Sequence, residues 1–245
     1  MTVNLEKLLT KQDIIILPPQ DVMETFDLID FHVSTVMLDP WYNRGHGGEK
    51  EDYMPWISTV LERSGKISDH IFLWGFPDII CRALGHMPDD YELVSWLTWY
   101  YKNCPSIIRG WRSAQYTCLH LGRKKVKLYP ENFMNREQLD RYATKRMRFI
   151  PGPSSVIEEP LLIGFCGKKE QIGKPSITTQ KPLKVFEPLI KISTLTGNIV
   201  VDPMCGTGTT GEVCKNLGRK VILCDSNEER IQMCEERLGV KRIKL

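Results

Sequence analysis

At 245 residues and 42% hydrophobic content, the chain is long enough to bury a continuous core and lacks the composition of a disordered or fibrous protein. Its net charge of +3, with both signs intermixed, allows a polyanionic partner without requiring one. Eight scattered cysteines with no Cys-x-x-Cys pair argue against a disulfide framework, and no leader pattern or membrane-length apolar run is present, so an intracellular, soluble protein with no membrane association is expected.

In chain order, short apolar runs bounded by Pro, Gly or Asp predict strands at Ile14–Leu17, Val33–Leu38, His70–Trp74, Leu93–Trp99, Tyr116–Leu121, Leu161–Phe165, Ile199–Val201 and Val221–Cys224. Helical spacing predicts helices at Tyr53–Ser64, Pro77–Leu84, Pro182–Thr194, Thr209–Leu217 and Glu228–Leu238. This alternation argues for a mostly parallel α/β sheet in one domain covering the whole chain. His32, His46, His70, His86 and His120 offer no close ligand spacing, so no metal site is expected.

The second predicted strand runs straight into Asp39-Pro40-Trp41-Tyr42-Asn43. Residues at strand carboxyl ends line the ligand crevice of such sheets. The amino group of adenine or cytosine is a poor nucleophile because its lone pair is delocalised into the ring. A carboxylate such as Asp39 and the Pro40 carbonyl can each accept one N–H and favour the positive charge that develops on transfer. Tyr42 is the natural stacking face for a base rotated out of its helix. Alone, Asp-Pro at a strand end reads more readily as a turn, and it is the coexistence with the carboxyl-terminal glycine loop that shifts the reading.

Near the carboxyl end, Val200-Val201 leads to Asp202-Pro203-Met204-Cys205-Gly206-Thr207-Gly208-Thr209-Thr210, a strand, glycine turn and helix. The Gly206-x-Gly208-x-x-Gly211 spacing matches a dinucleotide fingerprint, and Asp225 ends the next strand where an acid accepts hydrogen bonds from ribose hydroxyls. Two features disfavour an NAD enzyme. Only twenty residues follow Asp225, so the remaining strands come from upstream and the fold is circularly permuted. Asp202 would repel a pyrophosphate, whereas it would pair with the ammonium of a methionine moiety.

From Gly122 to Arg148 the basic residues, among them Arg123, Lys124, Lys125, Lys127, Arg141, Lys145 and Arg146, outnumber the acids and interleave with Tyr129, Phe133 and Tyr142. Cations among aromatic faces suit phosphates and unstacked bases. A solvated helix reads equally well from the charge run alone.

Together these segments resemble the β-type amino-methylating DNA methyltransferases, in which the catalytic motif precedes the cofactor motif. Asp39 to Asn43 is similar to the family's Asp-Pro-Pro-Tyr-Asn, and Asp202 to Thr210 to its Asp-Pro-Phe-x-Gly-Ser-Gly-Thr-Thr. Thr179-Gln180-Lys181-Pro182 resembles its Thr-Gln-Lys-Pro element. The resemblance implies a seven-stranded Rossmann-like sheet with a small recognition insertion at 122–173, S-adenosyl-L-methionine as cofactor, DNA as partner and, in many members, a dimer. It implies methyl transfer to adenine N6 of a flipped-out base, with cytosine N4 or an RNA amino group as alternatives, and a catalytically inactive nucleic-acid-binding paralogue as the alternative of another class. Asp39, Pro40, Trp41 and Tyr42 take the catalytic positions. Thr179 and Lys181 fall at the cofactor's methionine end, with Asp202, Pro203, Cys205, Gly206, Thr207, Gly208, Thr209, Thr210 and Asp225 as further cofactor contacts, and Asp21 as the counterpart of the acidic adenine contact. Trp41 departs from the pattern by replacing a proline.

Overall fold

The computed structural model describes residues 3–43, 48–104, 107–108, 110–172 and 180–245. In chain order the elements are α1 (Leu5–Leu8), β1 (Ile14–Ile16), α2 (Val22–Asp27), β2 (Val33–Leu38), α3 (Tyr53–Ile67), β3 (Ser68–Gly75), α4 (Pro77–Ala83), β4 (Tyr91–Tyr100), β5 (Ile107–Ile108), β6 (Trp111–Arg112), β7 (Gln115–Arg123), α5 (Arg136–Ala143), β8 (Val156–Glu158), α6 (Leu183–Ser193), β9 (Ile199–Asp202), α7 (Thr209–Leu217), β10 (Lys220–Leu223) and α8 (Glu228–Leu238).

Eight strands form one sheet in the order β1-β10-β9-β2-β3-β7-β4-β8. The five from β1 to β3 are mutually parallel, and β7 then runs antiparallel between β3 and β4. Seven of these are the expected Rossmann-like strands, and the eighth, β8, is a three-residue edge strand parallel to β4. Period-2 alternation explains why the sheet is covered on both faces. Ile15, Val36, Leu38, Ile71, Leu73, Val201 and Ile222 point into one core with α1 to α4. Ile14, Ile16, Met37, Phe72, Trp74, Val200 and Val221 point into a second core with α6 to α8.

One predicted strand is absent. Leu161–Phe165 is a turn, because Gly164 adopts φ +57 and only Leu162 is buried, while Ile163 and Phe165 face solvent. Its place at the sheet edge is taken by β8, a few residues earlier.

Candidate active site

Strands β9 and β2 are parallel neighbours, paired through Thr35↔Val200 and Val36↔Val201. From β9 the chain crosses outward to β10, with β1 beyond it in the sheet, and from β2 it goes the other way into β3. The carboxyl ends of these two strands therefore flank the point where strand order reverses, where open α/β sheets bind ligands. Asp202 ends β9 and Asp39 follows β2, so two motifs 163 positions apart in sequence meet at one crevice.

The glycine turn has a different reason for each glycine. Gly206 has φ +53 and nothing within 4 Å of where a Cβ would stand, which leaves its backbone open to a ligand. Gly208 has φ +81, and a Cβ there would meet Cys234 Sγ at 2.6 Å, so it lets the turn press onto α8. Asp202 is buried: Oδ2 accepts from Thr210 Oγ1 at 2.5 Å and Oδ1 from the Met204 amide at 3.1 Å. Burial outweighs these bonds and pushes its carboxyl up to about 7. Asp225 accepts from the amides of Gly206 at 3.0 Å and Asn227 at 2.9 Å, and Arg230 approaches it to 3.6 Å.

Two pockets meet here. The larger, about 280 Å³, is walled by Asp21, Trp41, Tyr53, Trp56, Asp225 and Arg230, with Pro40 and Pro203 also on its lining. The smaller, about 50 Å³, lies against the glycine turn and includes Lys181, Asp202, Cys205, Gly206, Thr207 and Thr209. Asp39, Met204 and Arg230 line both. Asp39 thus stands at the junction, between the pocket lined by Asp202 and the pocket lined by Asp225.

Both oxygens of Asp39 are engaged. Oδ1 accepts from the Tyr42 hydroxyl, and Oδ2 forms an ion pair with Lys181 Nζ at 2.5 Å. The Lys181 ammonium also lies 5.4 Å from the ring centroids of Tyr42 and Tyr116. Tyr42 packs edge-on to Phe76 at 5.1 Å and tilted on Tyr116 at 5.6 Å. Burial first, then the Asp39 charge, holds the Tyr42 phenol well above its ordinary range, so it remains a donor.

Of the predicted site residues, the structure brings together Asp39, Pro40, Trp41, Tyr42, Lys181 and the Asp202–Thr210 turn with Asp225. Thr209 ties the turn to the Thr-Gln-Lys-Pro element, donating to the Lys181 carbonyl at 3.0 Å. Thr179 lies outside the described residues. Asp21 reaches the rim of the larger pocket, but its carboxylate caps α2, accepting from the Met23 amide at 2.8 Å. Trp41 faces the larger pocket, edge-on to Tyr53 at 6.0 Å, and its carbonyl accepts from the Tyr53 hydroxyl. Sequence reasoning missed Tyr53, Trp56, Phe76, Tyr116 and Arg230. The position of Arg230 in the first turn of the helix after Asp225 was the one signal available for it.

The start of the basic run lies away from the crevice. Because β7 is antiparallel to β3, its start lies at the crevice end of the sheet and its last residue, Arg123, at the opposite end, beside the first residues of β3 and β4. From Thr117 to Arg123 the strand covers six steps, about 20 Å at the usual antiparallel rise. Arg123 is spent on structure: it pairs with Asp90 and donates to the Gly65 and Ser68 carbonyls at 2.6 and 3.1 Å. Lys124 donates to the Asp89 carbonyl at 3.0 Å, and Lys127 lies over the Tyr129 ring. Arg123, Lys124, Lys125 and Lys127 therefore do not flank the crevice. Arg141, Lys145 and Arg146 lie on or just after α5, which has no buried residue.

What does flank the crevice end is the link between β4 and β7. Its β5–β6 hairpin exposes Trp111 at 82%, beside exposed Arg112, and with Phe76 and Pro77 it borders a surface hollow of about 450 Å³. No acid occurs between Leu93 and Pro130. That absence was the signal for this surface.

A mostly parallel sheet with a glycine turn and three acids at its switch point defines the class: a Rossmann-like methyltransferase fold. The model of the DNA methylase family matches residues 33–236, and the chain belongs to that family. The type II methyltransferase M1.MboII of Moraxella bovis is 26% identical over 85% of this chain and 92% of its own. M.HpaI of Haemophilus parainfluenzae is 35% identical, over 59% of this chain and 44% of its own, so the chain spans less than half of that relative. Among solved structures, the M1.HpyAVI–SAM complex superposes with a TM-score of 0.68 at 22% identity, over 93% of this chain and all 100% of that one. The PvuII cytosine-N4-specific methyltransferase gives 0.69 at 16%, over 95% and 89%. At these identities the structural likeness is one of fold. Among the described residues no helix is long and apolar enough to cross a membrane.

Proposed function

We propose that the protein is an S-adenosyl-L-methionine-dependent DNA methyltransferase that acts on an exocyclic amino group, adenine N6 in the first instance. The observation that carries this reading is Asp39 at the junction of the two pockets. A methionine ammonium against Asp202 in the smaller pocket and ribose hydroxyls on Asp225 in the larger one would put the sulfonium methyl between them, next to Asp39. The donor supplies an electrophilic methyl there.

The chain's own part is to hold the acceptor nitrogen. Asp39 and the Pro40 carbonyl take its two N–H groups, and Tyr42 and its aromatic neighbours border the base. Transfer forms an N–C bond from the amino lone pair and breaks the S–C bond, whose electron pair stays on sulfur. The nitrogen, now cationic, loses a proton to Asp39, which passes it to water. The β5–β6 hairpin, with Arg141, Lys145 and Arg146, is the proposed DNA-facing surface, and the small insertion the site of sequence recognition.

Incubation with methyl-labelled cofactor and duplex DNA, followed by nucleoside analysis, is expected to yield N6-methyladenine. N4-methylcytosine would correct the base and keep the reaction. Transfer to RNA in preference to duplex DNA, or cofactor binding with no transfer to either, would overturn it.

A further inference from the structure

The Lys181 ammonium sits against the reacting carboxylate and not within the turn that holds Asp202. Its partners are Asp39 Oδ2 at 2.5 Å and the faces of Tyr42 and Tyr116 at 5.4 Å. At 5% side-chain exposure it is almost wholly withdrawn from water. An acceptor oxygen and a donor nitrogen therefore stand side by side where the base amino group must arrive.

Adenine and cytosine share one feature at that edge: the amino nitrogen and an unprotonated ring nitrogen on the same carbon. Two nitrogens on one sp² carbon lie ~2.3 Å apart, from the length of a conjugated C–N bond. This matches the spacing of the Asp39–Lys181 pair closely enough for two parallel hydrogen bonds. On the Watson–Crick edge guanine and thymine carry N–H at the corresponding ring position and would meet the ammonium donor to donor.

We propose that Lys181 reads the ring nitrogen beside the target amino group, adenine N1 or cytosine N3, and so directs the methyl group to the exocyclic nitrogen. This rests on the amino-methyltransferase reading above. The chemical reason is competition between two nucleophiles. The ring nitrogen's lone pair lies in the ring plane, outside the π system, and is the better nucleophile, whereas the amino lone pair is delocalised. An N–H donated by Lys181 occupies the ring lone pair, while Asp39, whose oxygens each have two acceptor directions, takes an amino N–H. One ion pair then serves both for recognition and for the choice of atom methylated.

The test compares Lys181→Met, which removes the donor, with Lys181→Gln, which keeps a neutral one. Cofactor binding is followed by calorimetry and products by mass spectrometry of digested DNA. With Lys181→Met, kcat is expected to fall about tenfold to hundredfold, the loss of one charge-assisted hydrogen bond. Cofactor affinity should stay unchanged, and 1-methyladenine or 3-methylcytosine should appear. Lys181→Gln should restore part of the rate and the exocyclic product.

A wild-type arm guards against misfolding: DNA carrying 1-deazaadenine or 3-deazacytosine, which keep the amino group and replace the ring nitrogen by C–H, should be methylated slower by a similar factor. Cofactor affinity lost in step with rate would return Lys181 to the cofactor and overturn the inference. So would wholly exocyclic product from Lys181→Met, or an analogue methylated at the full rate. No transfer by the wild-type protein to any nucleic acid would instead remove the parent function.

Discussion

At the scale of single residues, two acids a few ångströms from the same ligand space are set up for different work. Asp39 pairs with the Lys181 ammonium and accepts from the Tyr42 hydroxyl. Replacing it with asparagine keeps the shape and removes the charge that favours a cationic nitrogen. Asp39→Asn is expected to lower the single-turnover rate by at least about a hundredfold, the usual scale for a lost electrostatic contact to the reacting centre. Cofactor affinity should change little; calorimetry showing a parallel loss would move Asp39 out of the reaction. Asp202 is desolvated and its carboxyl pushed up to about 7 from an ordinary 3.8. The folded state without ligand holds that proton more tightly than the unfolded chain, so this group's contribution to stability is present at low pH and lost as pH rises through about 7. A cationic ligand group works the other way, because it needs the ionised form. Affinity for the cofactor should therefore plateau above about pH 7 and weaken below it, approaching a factor of about ten per pH unit. Asp202→Asn should bind weakly with no such slope. A slope that persists in the variant would assign the titration to another group.

At the scale of elements, strands were legible where burial on both faces forces an apolar run, as in Val33–Leu38, Ile199–Val201 and Val221–Cys224. The two motifs were legible because Asp39, Pro40, Tyr42, Asp202 and the glycines are residue types that the proposed chemistry calls for. Leu161–Phe165 misled because apolar composition does not distinguish a buried strand from a turn that exposes Phe165 at 92%. The aromatic enclosure of Tyr42 was hidden for another reason. Phe76 directly follows β3 and Tyr116 lies in β7, and the antiparallel pairing of those strands brings their rings near it. The same pairing carries the β5–β6 hairpin to the crevice end. Its Trp111 is 82% exposed, and an exposed indole beside arginine suits stacking on an unpaired or unstacked base. Trp111→Ala is expected to weaken duplex binding about tenfold, within the range for one lost stacking contact, while leaving cofactor binding alone. Equal DNA affinity for variant and wild type would remove the hairpin from the interface. Gly211 offers a control on stability rather than function. A Cβ there would stand 2.6 Å from Leu223 Cδ1 and 2.7 Å from Leu238 Cδ1, so Gly211→Ala should cost about 1–3 kcal/mol by overpacking. Denaturant titration measures it directly.

At the scale of the whole molecule, the sheet gives the protein two unlike ends, and under the proposed function the direction of one strand decides which end would meet DNA. Sequence places Lys124, Lys125 and Lys127 in the most basic stretch of the chain, and charge run alone makes them the obvious phosphate contacts. Register overrides this. Gly122 pairs with His70 near the start of β3, whereas Thr117 pairs with Gly75 at its crevice end, so the lysines sit on the far side from Asp39. A base withdrawn from duplex and held at Asp39 has its flanking phosphates within a few nucleotides of the crevice, beyond reach of that turn. Each phosphate neutralised by a protein cation contributes close to one unit to the slope of log affinity against log salt. Neutralising Lys124, Lys125 and Lys127 together should therefore leave both affinity and slope unchanged, while Arg112→Gln should weaken binding and reduce the slope by about one. Fluorescence anisotropy on one labelled duplex across a salt series separates the two cases. If the triple variant loses slope and the Arg112 variant does not, the DNA lies across the opposite end of the sheet, and the crevice would have to receive its base from a strand already released from the duplex.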